Sequence, residues 1–357
     1  MASLISELAD LARYGLTQTA RAGFYMGQSV IAARLAGSQP LPDDAPPPSD
    51  LRVADWLKEI RAAFEQDWRN IAAGYYRMPE QLIEPPHRAL LRSIAFLRDV
   101  PRVAGRRRSE GHSDLPKEAA TDLPDYFLRN FHYQTDGYLS RRSARLYDHQ
   151  VETLFGGTAD AMRRQALVPL WEVLHDRDPA TVRLLDLGCG TGRLLKAVKE
   201  NYPAIDATAL DLSAPYLEEA RSLNDHFRNL RFWQANAEDV PAEDGSFDVV
   251  LCAYLLHELP PDARRNVAAE AGRVLRPGGR LIVIDTLQLG DRPELDNALR
   301  RFPLRFHEPY YAGYVEEDLA ALFDAAGLEH DGDSLSFLSK VSAFDKPGGA
   351  LFGPKAT

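Results

Sequence analysis

The sequence predicts an α/β domain with a mainly parallel sheet flanked by helices, set behind a helical N-terminal extension. Three observations carry this. From residue 182 onward, short apolar runs alternate with amphipathic helical segments, the pattern of repeated βα units. At 182–198, VRLLDLGCGTGRLLKAV runs an apolar strand through alternating glycines directly into a helix. Ahead of residue 100 only helical periods occur, interrupted by a proline-rich stretch at 38–50. A chain of 357 residues, 45% of them apolar, is long enough for two units and a sizeable core, which excludes a collagen-like or wholly disordered protein.

In chain order, Leu4, Leu8, Leu11, Leu16, Ala20, Phe24, Ile31 and Leu35 recur at helical spacing and predict a helix over 3–36 packed on its own protein. The alternative is peripheral contact with a membrane surface through residues 1–37, for which Arg13, Arg21 and Arg34 offer a thin basic face. SQPLPDDAPPPSD, with five prolines, reads as an extended linker over 38–50. A helical period resumes over 51–73 through Leu51, Trp56, Ile60, Phe64 and Trp68, and a further helix is expected at 87–99. Residues 101–125, with Arg106-Arg107-Arg108, read as a polar surface loop and solvated turn. Another helical stretch covers 158–175. Strands are expected at 182–187, 205–211, 230–234, 247–252 and 280–286, and helices at 192–200, 214–223, 261–275 and 316–326. Pro277-Gly278-Gly279 reads as a tight turn feeding the last of those strands. The resulting partition is 1–37, 38–50, 51–130, 131–345 and a tail at 346–357.

Charge narrows the function. The net charge is −10, and residues 1–180 hold 23 basic against 24 acidic groups, so the excess acid sits in the second half. That field repels nucleic acid. Two cysteines, Cys189 and Cys252, are too few for a disulfide framework or a four-thiolate zinc site, and no metal is expected. No apolar run reaches the ~18 residues of a membrane span, and the N-terminus lacks a secretory pattern, so the expected location is cytoplasmic.

The glycine-rich turn carries the chemistry. A dinucleotide fingerprint G-x-G-x-x-G would place its third glycine at 193, where this chain has Arg193; the glycine falls at 192 instead. The next strand ends in Asp211, a carboxylate placed to accept both hydroxyls of a ribose.

In order, LDLGCGTG, the acid at the second strand tip, QANAEDVP, FDVVLCAYLLHEL and RVLRPGGRLIVID resemble the class I S-adenosylmethionine-dependent methyltransferases, closest to the ubiquinone and menaquinone biosynthesis branch. The resemblance covers roughly residues 131–345. It implies a seven-stranded sheet, with a sixth strand near 328–332 and an antiparallel seventh near 336–344. It implies S-adenosyl-L-methionine as cofactor, with Gly188, Cys189, Gly190 and Gly192 around its methionine part and Asp186 near the amino group. Asp211 would hold the ribose, Leu212 would pack on the adenine, and Asn236 and Ala237 would reach the adenine edge. The family usually has Gly-Asp where this chain has Ala235-Asn236. Cys252 and Ala253 would border the sulfonium. His257 is the candidate general base, since a free imidazole titrates near neutrality, and Glu258 follows it towards the acceptor. Tyr147, with Tyr133 and Tyr138, resembles a lid, and His307, Tyr310, Tyr311 and Tyr314 are candidates for the acceptor pocket.

The implied function is methyl transfer from S-adenosylmethionine to an oxygen, carbon or nitrogen of a small-molecule or lipid-like acceptor. Two competitors remain: a non-catalytic cofactor-binding or assembly protein that keeps the fold, and aminopropyl transfer from the decarboxylated cofactor. The oligomeric state is not legible.

Overall fold

In a computed structural model of the chain, the residues described are 2–38, 41–49, 51–80, 82, 85–109, 115 and 123–348, with side chains from Glu7 onward. Residues 349–357 of the tail expected at 346–357, and 110–114 and 116–122 of the loop expected at 101–125, lie outside them.

Alternation organises the sheet. In β1 (Arg183–Leu187), β2 (Asp206–Asp211), β4 (Phe247–Ala253) and β5 (Leu275–Thr286), one set of side chains enters one core and the next set enters the other. Leu184, Ala207, Ala209, Val249, Leu251, Ile282 and Ile284 pack with the helices α6 (Leu167–Leu174) and α7 (Arg193–Asn201). Leu185, Leu187, Leu210, Val250, Cys252, Leu281 and Val283 pack on the opposite face with α9 (Pro261–Val274) and α12 (Leu319–Asp324). Near-continuous apolar strands are what a sheet covered on both sides requires.

With β3 (Leu230–Gln234), β6 (Glu329–Ser336) and β7 (Ser339–Asp345), the order is β3-β2-β1-β4-β5-β7-β6, parallel apart from β7, which pairs antiparallel with both β5 and β6. Strand order reverses between β1 and β4, so a crevice opens at the carboxyl ends of β1, β2 and β4. The helix α8 (Ala214–Leu223) starts at that crevice, its N-cap Ser213 accepting from the Tyr216 amide.

The helices ahead of β1 differ from expectation in three ways. First, α1 (Ala2–Ala36) turns its apolar stripe outward: Leu8, Leu16 and Leu35 are 57%, 74% and 50% exposed. Its buried side holds Tyr14, Gln18, Arg21 and Tyr25. Arg21 Nε donates to the Gly157 carbonyl at 2.8 Å, and its Nη2 pairs with Glu152 and with Asp160, at 3.0 Å. Tyr14 donates to Asp67 of α2 (Val53–Ala72), which also takes two bonds from Arg164 at 2.9 and 2.6 Å. Polar locks, invisible to a hydrophobic period, decide which face is inside.

Second, α3 (Pro86–Arg108) continues through Pro101 to the arginine triplet instead of giving way to a loop at 101. One missing amide is outweighed by packing on α1 and on α4 (Arg141–Leu154). Arg106 is no solvated turn: its Nε reaches the Tyr133 carbonyl at 2.9 Å and its Nη2 reaches Thr135.

Third, the stretch 158–175 breaks into α5 (Ala159–Arg164) and α6 at Gln165-Ala166. In the domain itself, Pro277-Gly278-Gly279 lies within β5 as an irregularity, not a turn before it. Gly278 takes φ +76°, and its amide donates to Lys346 at 2.7 Å. Residues 287–315 form α10 (Asp296–Arg305) and the short α11 (Tyr311–Tyr314).

Candidate active site

Asp186, buried one residue before the end of β1, lines the crevice, and neither of its carboxylate oxygens has a hydrogen-bond partner among the described residues. Burial, and then the neighbouring charge of Asp211, push its pKa up to about 7. An orphaned carboxylate at the floor of a cleft is a costly arrangement unless a cation lies against it. Asp211, at the tip of β2, accepts from the amides of Gly190 and Ser213, each at 2.8 Å. Burial raises its pKa to about 6, against the pull of those two amides. The two bonds fix the carboxylate's orientation.

The turn between β1 and α7 fits a bound ligand. Gly190 takes φ +54°, and nothing lies within 4 Å of where a Cβ would stand, so its backbone faces open cleft. Gly192 does something else: it does not line the cleft, and a Cβ there would fall 2.8 Å from Asn224 Nδ2 and 3.0 Å from Ala220 Cβ. Its expected ligand role becomes close packing of α7 on α8. Arg193, which replaces the glycine of a dinucleotide site, pairs with Asp160, the carboxylate that also holds Arg21.

Gly188, Cys189, Leu212, Asn236 and Ala237 line the same cleft. The Asn236 carbonyl oxygen accepts from the Glu238 amide at 3.0 Å, and its Nδ2 donates to Glu238 at 3.2 Å, so the substitute for the family's acid is engaged in its own turn. Burial and the nearby carboxylates hold the Cys189 thiol well above its ordinary pKa, as they do for Cys252. Two aromatics missed by sequence reasoning, Tyr126 and Phe127, close this end, and Tyr126 donates to Glu238 at 2.6 Å. They lie ahead of the lid, where the only signal was an aromatic run beside the expected domain boundary.

At the other end, Ala253, Tyr254, Leu255, Glu258, Tyr138 and Tyr147 form the wall. Tyr138 donates to Glu258 and packs edge-on against Tyr147 and Tyr216. Cys252 does not join them: it points into the opposite core, as strand alternation requires for the neighbour of Ala253.

His257 is also displaced from its expected place. It is buried behind Glu258, outside the cleft lining, with Nδ1 2.5 Å from Asp285 of β5 and its ring edge-on to Tyr311 and Tyr314. Burial alone would lower its pKa; the charge and hydrogen bond of Asp285, then Glu308 and Glu258, outweigh burial and lift it to about 10. An imidazole that is already protonated cannot act as general base at neutral pH. Asp285 also accepts the Leu256 amide at 2.9 Å, so the pair fixes the loop that carries Glu258.

Tyr311 and Tyr314 are core residues, Tyr314 donating to the Thr286 carbonyl at 3.1 Å. Tyr310 packs with the cluster of Phe131, Tyr138 and Tyr216, and His307 lies 5.4 Å, ring to ring, from Tyr133. These four lie behind that wall and do not line the cleft.

A family described as "Methyltransferase domain" matches residues 184–279. The UbiE ubiquinone/menaquinone biosynthesis C-methyltransferase of Desulfotalea psychrophila is 37% identical over 175 residues, 47% of this chain and 67% of that protein. The malonyl-[acyl-carrier protein] O-methyltransferase of Xylella fastidiosa is 33% identical over 150 residues, 41% of this chain and 48% of that protein. The fatty-acid O-methyltransferase of Mycolicibacterium smegmatis is 30% identical over 148 residues, 41% of this chain and 53% of that protein. The chain spans about half to two thirds of the length of these relatives. With the sheet order, the glycine turn and the two strand-tip acids, these matches make the chain a member of the class I S-adenosylmethionine-dependent methyltransferase family.

Proposed function

We propose that this chain transfers the methyl group of S-adenosylmethionine to an oxygen, carbon or nitrogen atom of a lipid-like small molecule. The observation that carries the reading is Asp186, buried and unpartnered in a cleft it shares with Asp211 and the open Gly190 backbone. That set fits the cofactor: Asp186 suits its ammonium and Asp211 its ribose hydroxyls. When bound, the cofactor supplies a methyl group on a positively charged sulfur that leaves as a neutral thioether. The chain's part is placement and dryness. Tyr138, Tyr147, Tyr254 and Leu255 exclude water, and in-line approach of the acceptor to about 3–3.5 Å supplies much of the acceleration.

The acceptor class rests on two supports. The relatives carry names that refer to quinones, fatty acids and acyl carriers. A second, mainly apolar cavity of about 300 Å³ lies between α1, α3 and α4, and it shares Tyr147 with the cofactor cleft. The outward apolar face of α1, beside the exposed Arg88, Arg98, Arg102 and Arg108 of α3, suits a membrane surface that holds such acceptors. Cosedimentation with anionic but not neutral vesicles, weakened by salt, is the expected outcome. Both cysteines are free, which fits the cytoplasmic location in this reading.

Calorimetry with S-adenosylmethionine and with its demethylated product tests the cofactor assignment. Both bind wild-type protein, and Asp211→Ala weakens both by about one to two decades. Unchanged affinity in a folded Asp211→Ala protein would remove Asp211 from the site.

A further inference from the structure

Glu308 is the least expected group behind the acceptor wall. Its side chain is fully buried, and neither oxygen has a hydrogen-bond partner among the described residues. His132 Nδ1 lies 3.0 Å from Glu308 Oε1 without hydrogen-bonding geometry. His132 Nε2 lies 3.8 Å from Glu258 Oε1 on the other side. One donor atom each from His132, Glu258 and Glu308 falls within 4.8 Å of the others.

We propose that His132, Glu258 and Glu308 form a binding site for a divalent transition cation of the Mn²⁺ or Zn²⁺ type at the acceptor end of the cofactor cleft. This revises the expectation of no metal.

Three arguments converge. The spacings suit shared coordination: two donors on one cation with bonds of about 2.1 Å stand roughly 3–3.5 Å apart, and side-chain rotation closes the rest. The donor set of one imidazole and two carboxylates is mixed nitrogen and oxygen, which favours Mn²⁺, Fe²⁺ or Zn²⁺ over the all-oxygen shell of Ca²⁺. The local charge also asks for a cation. Asp285, Glu258 and Glu308 converge here, and Asp285 is already taken up by its bond to His257. With His132 neutral as a ligand, two carboxylates are left for a doubly charged ion.

The backbone is committed to the arrangement. His132 and Tyr133 take φ of +54° and +53°, uncommon for residues with side chains, and the His132 amide donates to the His307 carbonyl at 3.3 Å. That bond joins the lid segment to the loop carrying Glu308. Tyr138 orients Glu258 from the opposite side. Glu258 alone of the three also lines the cofactor cleft, so a cation here would stand at its border, able to hold an acceptor oxygen. Cation binding is independent of the methyl-transfer reading and is tested without the cofactor.

The full chain is stripped with a chelator, desalted and titrated with MnCl₂ alone, with electron paramagnetic resonance counting free and bound Mn²⁺. One bound ion per chain is expected, with affinity reduced about tenfold or more in both Glu308→Gln and His132→Ala and unchanged in the distant Glu218→Gln. Mn²⁺ should raise the melting temperature of the wild type and leave those of the two site variants where they were. Because Glu308 has no hydrogen bond to lose among the described residues, metal-free Glu308→Gln should melt at or above the metal-free wild type. Substoichiometric binding, or binding that survives both site substitutions, would overturn the proposal. So would a metal-free Glu308→Gln protein that melts well below wild type, since Glu308 would then be a structural partner of His132.

Discussion

Asp186 and His257 are buried ionisable groups with opposite consequences. The folded-state pKa of Asp186 is raised to about 7, so its ionised form opposes folding, and the penalty grows as pH climbs from the ordinary carboxylate range through 7. Asp186→Asn should therefore raise the melting temperature of ligand-free protein at pH 8, leave it nearly unchanged near pH 4, and lose most cofactor affinity. A substitution that lowers stability at pH 8 would show that Asp186 already has a partner. For His257 the folded-state pKa is raised to about 10, so its stabilisation is complete below the free imidazole value near 6.5 and fades as pH rises through 10. The melting temperature of His257→Gln should trail wild type most at pH 6 and approach it by pH 10. Methyl transfer should show no rise through pH 6.5, as a free histidine base would require. A clear rise there that His257→Gln abolishes would restore the base. The strand-tip acids were legible because spacing alone puts them at one edge. The partner of His257 was not, since Asp285 is 28 residues away on another strand and only the fold brings the two together.

At the scale of elements, the central strands and their helices were legible because a covered parallel sheet writes near-continuous apolar runs into the sequence. The extension was not. A helical period predicts that α1 forms but cannot choose which face is inside, and here Arg21, Tyr14 and Gln18 are buried while Leu8 and Leu16 face out. The proline-rich linker at 38–50 would leave α1 a separable arm, yet Arg21 supplies the buried charge between Glu152 and Asp160. Removing it leaves the buried Glu152 without its cation, while Asp160 keeps Arg193 and Arg163, at a cost of about 3 kcal/mol. Arg21→Ala should thus lower the melting temperature by several degrees, and a chain starting at Leu51 should be poorly folded. Since Asp160 also holds Arg193 beside the glycine turn, the truncation should weaken cofactor binding as well. A chain starting at Leu51 that melts and binds like the full protein would make α1 the dispensable arm. α3 runs past its expected end at residue 99 because packing on α1 and α4, which a proline and three arginines do not betray in the sequence, carries it on.

For the whole molecule, the order of five motifs and the two-sided sheet agree on one architecture, and the cleft falls where that sheet reverses its strand order. The proposed acceptor end of the cleft was less legible, because its walls come from segments distant in sequence: Tyr138 and Tyr147 ahead of β1, Tyr254 and Glu258 after β4, with Glu308 and Tyr310 behind them. The central claim is catalysis rather than cofactor storage. It is tested most directly by incubating the protein with S-adenosylmethionine bearing a deuterated methyl group and a lipid extract, followed by mass spectrometry. A discrete acceptor should gain the labelled methyl group with wild-type protein and lose that gain with Asp211→Ala. Tight cofactor binding with no labelled product from lipid or water-soluble pools would contradict it and leave a binding protein on a methyltransferase fold.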